Sequence, residues 1–161
     1  MRVYLSLGSN LGDRSANIRG ALNAIEGARI ERVSREYETE PWGVEEQPSF
    51  INVVAEIETT LEPLELLDAM KVVESNLGRG PSEKWGPRVI DIDIVLWGNS
   101  VIRTARLTIP HSSFRKRAFV LVPLAEIAPD VVDPETGLTV AELAALPEAT
   151  GRVTLHTSQD H

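Results

Sequence analysis

Two aspartates separated by a single residue are the most chemically informative feature of the sequence. Asp91 and Asp93 lie within the largely apolar run at positions 90–97. Successive side chains of a β-strand point to opposite faces, so the two carboxylates would share one face with their Cα atoms about 6.5 Å apart. Adjacent carboxylates repel each other unless a cation lies between them, and such oxygen ligands suit Mg²⁺, which also binds phosphate groups. The spacing predicts a magnesium site, although two acids on a solvated strand would give the same pattern.

Positive charge is concentrated around this pair of aspartates. Positions 75–117 contain eight Lys or Arg residues and three acids, whereas positions 118–149 contain six acids and no base. A basic cluster in a protein of net charge −8 indicates a local anionic ligand such as a phosphate chain. Phosphoryl transfer uses metal-binding carboxylates together with cationic groups, although each cation alone would be an ordinary surface residue. The candidate cationic groups are Arg79, Lys84, Arg88, Arg106, His111, Arg115, Lys116 and Arg117.

A second group of candidate residues lies earlier in the chain. Phe50 and Asn52 alternate with Ile51 and Val53, so the aromatic ring and the amide would share one face of a strand. An aromatic ring can stack on a flat heterocycle while an amide reads its hydrogen-bonding edge. The same pattern arises when the phenylalanine is a core residue and the asparagine lies at a turn or a strand edge. The pattern is therefore compatible with a heterocycle site without establishing one.

The common phosphate-binding motifs are absent from the sequence. The stretch Gly-Ser-Asn-Leu-Gly at positions 8–12 is not followed by the Gly-Lys-Ser/Thr of a Walker loop, and its glycine spacing differs from the dinucleotide fingerprint. The kinase signatures His-Arg-Asp and Asp-Phe-Gly are missing as well. We expect positions 8–12 to form a tight connection from a strand to a helix.

The elements that must position these residues follow from hydrophobic periodicity and turn signals. Strand patterns occupy positions 2–7, 28–37, 50–58 and 91–97, and Gly98-Asn99 predicts a hairpin turn into a strand at 100–103. Helical spacing predicts helices at 18–25, 62–77, 119–127 and 140–146, with long loops at 39–49 and 78–90. The order β-α-β-β-α-β predicts an α+β ferredoxin-like sandwich, with a mainly antiparallel sheet, both helices on one face and C-terminal additions.

Length and composition exclude several classes of protein. A chain of 161 residues predicts one domain over 1–161, in which about 147–161 form a weakly specified tail. We expect no signal peptide, because the first residues lack its long apolar segment and cleavage site, and no apolar run approaches the ~20 residues of a membrane span. The absence of cysteine excludes disulfides and thiol chemistry and fits a cytoplasmic location. The net charge of −8 opposes nucleic-acid binding. We expect a cytoplasmic monomer that binds small molecules.

Several stretches match one known family in the same order along the chain. They lie at positions 8–12, 39–43, 47–52, 77–79, 85–94 and 106–119. The most specific is Trp-Gly-Pro-Arg-Val-Ile-Asp-Ile-Asp-Ile at 85–94, which is followed by Pro110-His111. In these motifs the chain resembles the 6-hydroxymethyl-7,8-dihydropterin pyrophosphokinase family of folate biosynthesis, and the resemblance extends from residue 5 to about residue 130.

The resemblance implies a reaction and its cofactors. Members of the family transfer a diphosphoryl group from ATP to the hydroxymethyl oxygen of the pterin and release AMP. Asp91 and Asp93 would hold two Mg²⁺ ions together with ATP as co-substrate. Arg79 and Arg88 would stabilise the charge that develops as the bond breaks. Loops at 8–13, 39–49 and 78–90 would close over the substrates and exclude water.

The resemblance also assigns residues to the two substrates. Phe50 and Phe119 would enclose the pterin ring between them. Asn52 would read the amide edge of the ring, and backbone groups of Thr39 and Trp42 would complete its hydrogen bonds. The ATP site would be lined by Glu74, Arg79, Trp85, Arg88, Ile94, Arg106, Thr108, His111 and Arg117.

Two departures from the family pattern and two rival interpretations remain. Pro81 stands where many members carry a second arginine, so we expect a change in how the 78–90 loop closes, and Phe50 stands where many carry tyrosine. A non-catalytic ligand-binding module would need the aromatic face but neither the paired aspartates nor the arginines. An RNA-binding domain would also stack bases on sheet aromatics, but the acidic composition opposes it. Production of AMP distinguishes the enzyme from both rivals.

Overall fold

The secondary structure of the chain is built around one large sheet. The computed structural model describes residues 1–39, 49–77 and 89–156. Its strands are β1 (Arg2–Ser9), β2 (Ala28–Val33), β3 (Tyr37–Thr39), β4 (Phe50–Thr59), β5 (Asp91–Trp97), β6 (Ile102–Arg103), β7 (Thr108–Ile109) and β8 (Val153–Leu155). Its helices are α1 (Arg14–Ala24), α2 (Pro63–Asn76), α3 (Ala118–Ile127) and α4 (Val140–Ala144), with a 3₁₀ turn at Phe114–Lys116.

Six of these strands form the main sheet. They lie side by side in the order β5-β1-β4-β3-β8, and β2 pairs with β4 next to β3. The pairings within this sheet are antiparallel. The elements β1, α1, β2, β4, α2 and β5 follow one another in the predicted β-α-β-β-α-β order. The α+β class with an antiparallel sheet is confirmed.

The strand predicted over 28–37 is divided into β2 and β3. Ser34 lies between them, and its backbone N–H donates to the Val54 carbonyl at 2.9 Å while its Oγ accepts from the Val54 N–H at 3.0 Å. A serine hydroxyl thus replaces a backbone carbonyl and interrupts the ladder. Both halves still pair with β4, and β3 places Thr39 directly opposite Phe50.

Helices cover both faces of the sheet. The first face packs against α1 and α2, through a buried cluster that includes Leu5, Leu7, Ile18, Ala21, Ile51, Leu66 and Met70. The opposite face packs against α3 and α4, through a cluster that includes Tyr4, Val54, Val120, Leu121, Leu124, Val140 and Leu143. The C-terminal additions therefore form a third layer. Among the described residues, no helix has both the length and the apolar character needed to cross a bilayer.

The predicted hairpin after β5 is wrong in its pairing. The turn forms, with the Ser100 N–H donating to the Trp97 carbonyl at 2.9 Å, but β6 pairs with β7 in a separate two-stranded sheet. Other groups occupy the outer edge of β5. The Ile92 N–H donates to the Glu74 carboxylate at 2.9 Å, and the Val95 carbonyl accepts from the His111 N–H at 3.0 Å. These bonds use the backbone groups that a neighbouring strand would need.

Candidate active site

One face of the sheet collects the predicted acids and the predicted amide. Gly8 in β1 lies directly opposite Asn52 on one side and Asp91 on the other. Ser6, two residues earlier, lies opposite Asp93. Directly opposed residues of antiparallel strands project to the same face, and this is the face that α3 covers. The sheet therefore brings both aspartates and the amide to a common surface, with β4 and β5 about 10 Å apart across β1.

Asn52 is held in one orientation by a buried hydrogen bond. Its Nδ2 donates to Thr39 Oγ1 at 2.7 Å, and the two residues are only 4% and 5% exposed. Phe50 shares their face and is half-buried. A side-chain amide carries two N–H donors and a carbonyl acceptor, so this one bond orients the remaining donor and acceptor as well.

Gly8 is part of this arrangement and not only of a connecting loop. A Cβ at this position would lie 2.6 Å from Asn52 Oδ1 and 3.4 Å from Phe50 Cδ1. Residues 8 and 9 complete β1, whereas Gly12, with a φ of +73°, makes the turn toward α1. The expectation that all of 8–12 is a connection is therefore wrong, because the first glycine makes room for the amide.

Glu74 supports the strand between the two aspartates. The residue is 3% exposed, its carboxylate accepts the Ile92 N–H at 2.9 Å, and Lys71 Nζ lies 3.7 Å from its other oxygen. Asp91 and Asp93 flank Ile92 and are partly exposed. Helix α2 thus holds the edge of β5 in place at Ile92, the residue between the two aspartates.

A cleft of about 380 Å³ runs along the outer edge of β5. One wall is formed by α2 and the other by the β7 region and the segment that follows it. The cleft contains Asp93 and four of the residues assigned to ATP, and its lining is Leu67, Met70, Lys71, Ile92, Asp93, Ile94, Arg106, Leu107, Thr108, His111 and Ser112. The structure therefore joins one of the two acids, Asp93, to Ile94, Arg106, Thr108 and His111.

The side chain of His111 is held as a neutral imidazole. The Ser113 N–H donates to its Nδ1 at 3.2 Å, so the proton of the neutral ring is on Nε2. Burial lowers the pKa of His111, the positive charge of Arg117 lowers it further, and Asp91 acts in the opposite direction. His111 can therefore act toward a phosphate as a hydrogen-bond donor without carrying a positive charge.

Two of the predicted ATP-site arginines have partners in the structure. The Arg117 guanidinium lies 5.5 Å from the ring centroid of Phe119, at the start of α3. Arg106 Nη2 lies 2.6 Å from Asp68 Oδ1 of α2, and both side chains are more than half exposed. Exposed ion pairs contribute little to stability, so an anionic ligand can compete for Arg106.

Four of the predicted site residues lie outside the described residues. They are Trp42 and Arg79, together with Trp85 and Arg88. The described part of the site is therefore the sheet face, the start of α3 and the cleft beside β5.

Sequence reasoning missed a polar network behind the Thr39–Phe50 pair. Glu38 projects to the opposite face and binds Ser49 Oγ at 2.7 Å, Arg14 Nη1 at 3.2 Å and His156 Nδ1 at 3.3 Å. The hydrogen bond from Ser49 lowers the pKa of Glu38, burial opposes this effect, and Arg14 and His156 reinforce it. Strand alternation could have placed Glu38 on that face. No local signal could have linked it to His156 in the chain that follows β8.

Comparison with known proteins identifies the family. The sequence model of the 7,8-dihydro-6-hydroxymethylpterin-pyrophosphokinase family matches residues 4–129. The 2-amino-4-hydroxy-6-hydroxymethyldihydropteridine pyrophosphokinase of Methylorubrum extorquens is 46% identical over 153 residues, which cover 93% of this chain and 96% of the relative. The enzyme of the same name from Aquifex aeolicus is 48% identical over 133 residues, covering 82% and 83% of the two chains.

A solved structure agrees with this sequence likeness. The wild-type HPPK-DHPS of Plasmodium falciparum superimposes with a TM-score of 0.72 at 16% identity, covering 89% of this chain and 44% of that one. This chain thus spans less than half the length of the solved protein, and at such identity the likeness concerns the fold. With the family match covering most of the sequence, the chain belongs to the 7,8-dihydro-6-hydroxymethylpterin-pyrophosphokinase family.

Proposed function

We propose that this protein transfers the diphosphoryl group of ATP to the hydroxymethyl oxygen of 6-hydroxymethyl-7,8-dihydropterin and releases AMP. A bond forms between that oxygen and the β-phosphorus, the bond from the β-phosphorus to the oxygen kept by AMP breaks, and the hydroxyl proton is released. The observation that carries the proposal is the common sheet face, on which two acids and an oriented amide lie beside the cleft of β5. The names of the close relatives support it.

Asp91 and Asp93 have the chemistry of magnesium ligands. Both offer carboxylate oxygens on one face, both are partly exposed, and Asp93 lines the cleft. Within the three described ranges, no group of three or more acids or histidines could enclose a metal by itself. This fits Mg²⁺, which keeps waters and takes substrate phosphates alongside one or two carboxylates. Two such ions would supply charge neutralisation for the phosphate chain.

The pterin half of the site is assigned to the face around Asn52. Its amide would bind the edge of the ring, and the backbone of Thr39 and Trp42 would complete the hydrogen bonds. Phe50 and Phe119 would contact the two faces of the ring. The support is the burial and fixed orientation of Asn52 and the half-buried phenylalanine beside it. An oriented buried amide discriminates strongly between ligands, because a ligand with mismatched polar groups leaves the donor and acceptor of the amide unpaired.

The ATP half is assigned to the cleft along β5. Ile94, Arg106, Thr108 and His111 line it, and Glu74 fixes the strand that carries the acids. Arg117, with Arg79, Trp85 and Arg88, would complete the contacts. Arg79 and Arg88 would stabilise the developing charge, and the loops at 8–13, 39–49 and 78–90 would exclude water from the reacting groups.

Three further assignments accompany this function. The core β1-α1-β2-β4-α2-β5 is a ferredoxin-like sandwich, which the sheet order supports because β4 and β5 flank β1 and β2 lies outside β4. Residues 1–161 act as one domain and as a monomer. The protein works in the cytoplasm on small molecules.

Incubation with the reduced hydroxymethylpterin and MgATP, followed by an assay for AMP, tests the proposal. We expect AMP from the wild-type chain, and a loss of about 100-fold or more in Asp93→Asn, the scale of removing one electrostatic contributor in an active site. Asp130→Asn, the same change at an exposed position, should retain the wild-type rate. Pterin binding without AMP would favour the binding module, and a fully active Asp93→Asn would refute the metal assignment.

A further inference from the structure

A fully buried aspartate lies outside the site described above. Asp133 is 0% exposed, and both of its carboxylate oxygens accept hydrogen bonds from Arg115, at 2.6 Å from Nε and 2.9 Å from Nη2. The Thr136 hydroxyl donates to one of these oxygens at 2.8 Å and the Glu135 backbone N–H to the other at 3.0 Å. Burial opposes ionisation of Asp133, but the bonds from Arg115 and Thr136 outweigh it and lower its pKa.

The network continues from this aspartate to β6. Arg115 Nη2 also donates to Glu135 Oε1 at 2.8 Å, and Glu135 forms an ion pair with Arg103. The turn that carries both acids is closed by the Gly137 N–H, which donates to the Asp133 carbonyl at 2.8 Å. One rigid turn therefore binds the 3₁₀ turn through Arg115 and β6 through Arg103.

The segment 103–117, which contains both attachment points, carries much of the ATP half of the site. Arg103 lies opposite Thr108 in the β6–β7 pair, and the 3₁₀ turn lies between His111 and Arg117. The strands β6 and β7 have two residues each. A two-stranded hairpin is marginally stable at best by itself, so its position depends on what holds its ends.

We propose that Asp133 and Glu135 are positioning residues for ATP, holding the segment 103–117 against the cleft without touching the nucleotide. This inference rests on the proposed function, because it requires ATP to bind along β5. When the attachment is lost, part of the binding free energy is consumed in ordering the segment, so the affinity for ATP falls. Pterin affinity should stay near wild type, because Asn52 and Thr39 lie on β4 and β3 and Phe119 belongs to α3, outside the segment.

Asp133→Asn and Glu135→Gln test this inference, with Asp130→Asn as the matched control. Calorimetry with α,β-methylene-ATP and with the pterin gives both affinities without turnover, and the AMP assay gives KM for ATP and kcat. We expect weaker nucleotide binding and a higher KM for ATP, by about tenfold in Asp133→Asn and about threefold in Glu135→Gln, the range of coupling through a packed network. Pterin affinity and kcat should stay near wild type, and Asp130→Asn should match wild type throughout.

Two outcomes overturn the inference. In the first, Glu135→Gln folds with unchanged nucleotide affinity, and this variant decides the matter if Asp133→Asn fails to fold. In the second, pterin and nucleotide affinities fall together, which indicates a general structural role. If the wild-type chain binds the nucleotide but produces no AMP, the proposed function is refuted. The nucleotide and pterin affinities of the variants then still support or overturn the positioning role.

Discussion

The substitution Gly8→Ala tests whether β1 must lack a side chain beside Asn52. The new Cβ would lie 2.6 Å from Asn52 Oδ1, whereas an ordinary contact begins at 3.4 Å. It would also lie 3.4 Å from Phe50 Cδ1, so the ring leaves little room for the amide to move aside. Asn52 must therefore rotate or shift away from β1, and its 2.7 Å hydrogen bond to Thr39 cannot persist in its present geometry.

The size of the effect follows from these contacts. Losing one buried hydrogen bond costs about 1 kcal/mol net, and forcing a methyl group into a filled site costs about 1–3 kcal/mol. We expect Gly8→Ala to lower the free energy of unfolding by about 2–4 kcal/mol, a large share of the stability of a domain of this size. The displaced Asn52 amide should also weaken pterin binding by about tenfold, which corresponds to a loss of about 1.4 kcal/mol of binding free energy.

Urea unfolding and pterin calorimetry measure these two effects, and a second glycine provides the control. Gly20 lies in α1, where the nearest atom to an added Cβ is Leu77 Cδ2 at an ordinary 3.8 Å. Alanine is favoured over glycine inside a helix by about 0.5–1 kcal/mol, so Gly20→Ala should be neutral or stabilising. The same substitution is thus expected to lower the free energy of unfolding at position 8 and to leave it unchanged or raise it at position 20. A Gly8→Ala variant with wild-type stability and wild-type pterin affinity would refute the reasoning.

Three further predictions concern the pterin half of the site. Phe119→Ala should weaken pterin binding by about 1–3 kcal/mol, the scale of a lost stacking partner, with unchanged affinity for α,β-methylene-ATP; equal pterin affinity by calorimetry would contradict it. Because the pKa of Glu38 is lowered in the folded protein, its carboxylate stabilises the fold above about pH 4.5. This contribution is lost as the pH falls through the pKa that Glu38 has in the folded state. The stability difference between wild type and Glu38→Gln in urea should therefore shrink below pH 4.5, and a constant difference would count against the network. Ending the chain after Gly151 removes β8 from the edge of β3, which should lower both the unfolding midpoint and the pterin affinity; a truncated chain with wild-type values would show that β8 is dispensable.

Strand periodicity was sufficient to predict much of the site. The alternation along β5 correctly placed Asp91 and Asp93 on one face, and the alternation along β4 did the same for Phe50 and Asn52. These predictions hold because the two-residue period of a strand is a local property of the backbone. Helices α2 and α3 also begin and end within one residue of their predicted bounds, since their apolar spacing is equally local.

Predictions that depended on distant parts of the chain were less successful. The hairpin after Gly98 was assigned to β5, but Glu74 and His111 occupy the edge that it would have used. The C-terminal segment gave little signal, yet β8 extends the sheet next to β3. The turn at Asp133 likewise gave no reason to expect a bond to Arg115. In each case the deciding partner is remote in sequence, and short polar segments carry no period that identifies it.

The sequence by itself determined which residue types share a strand face, where the long helices lie, and which family the motifs resemble. Only the tertiary structure decided that β1 lies between β4 and β5, so that Gly8 separates the amide from the acids. It also decided that one cleft joins Asp93 to Arg106 and His111. The reason is physical: side-chain direction within an element follows from the local backbone, whereas the neighbours of an element depend on the packing of the whole chain.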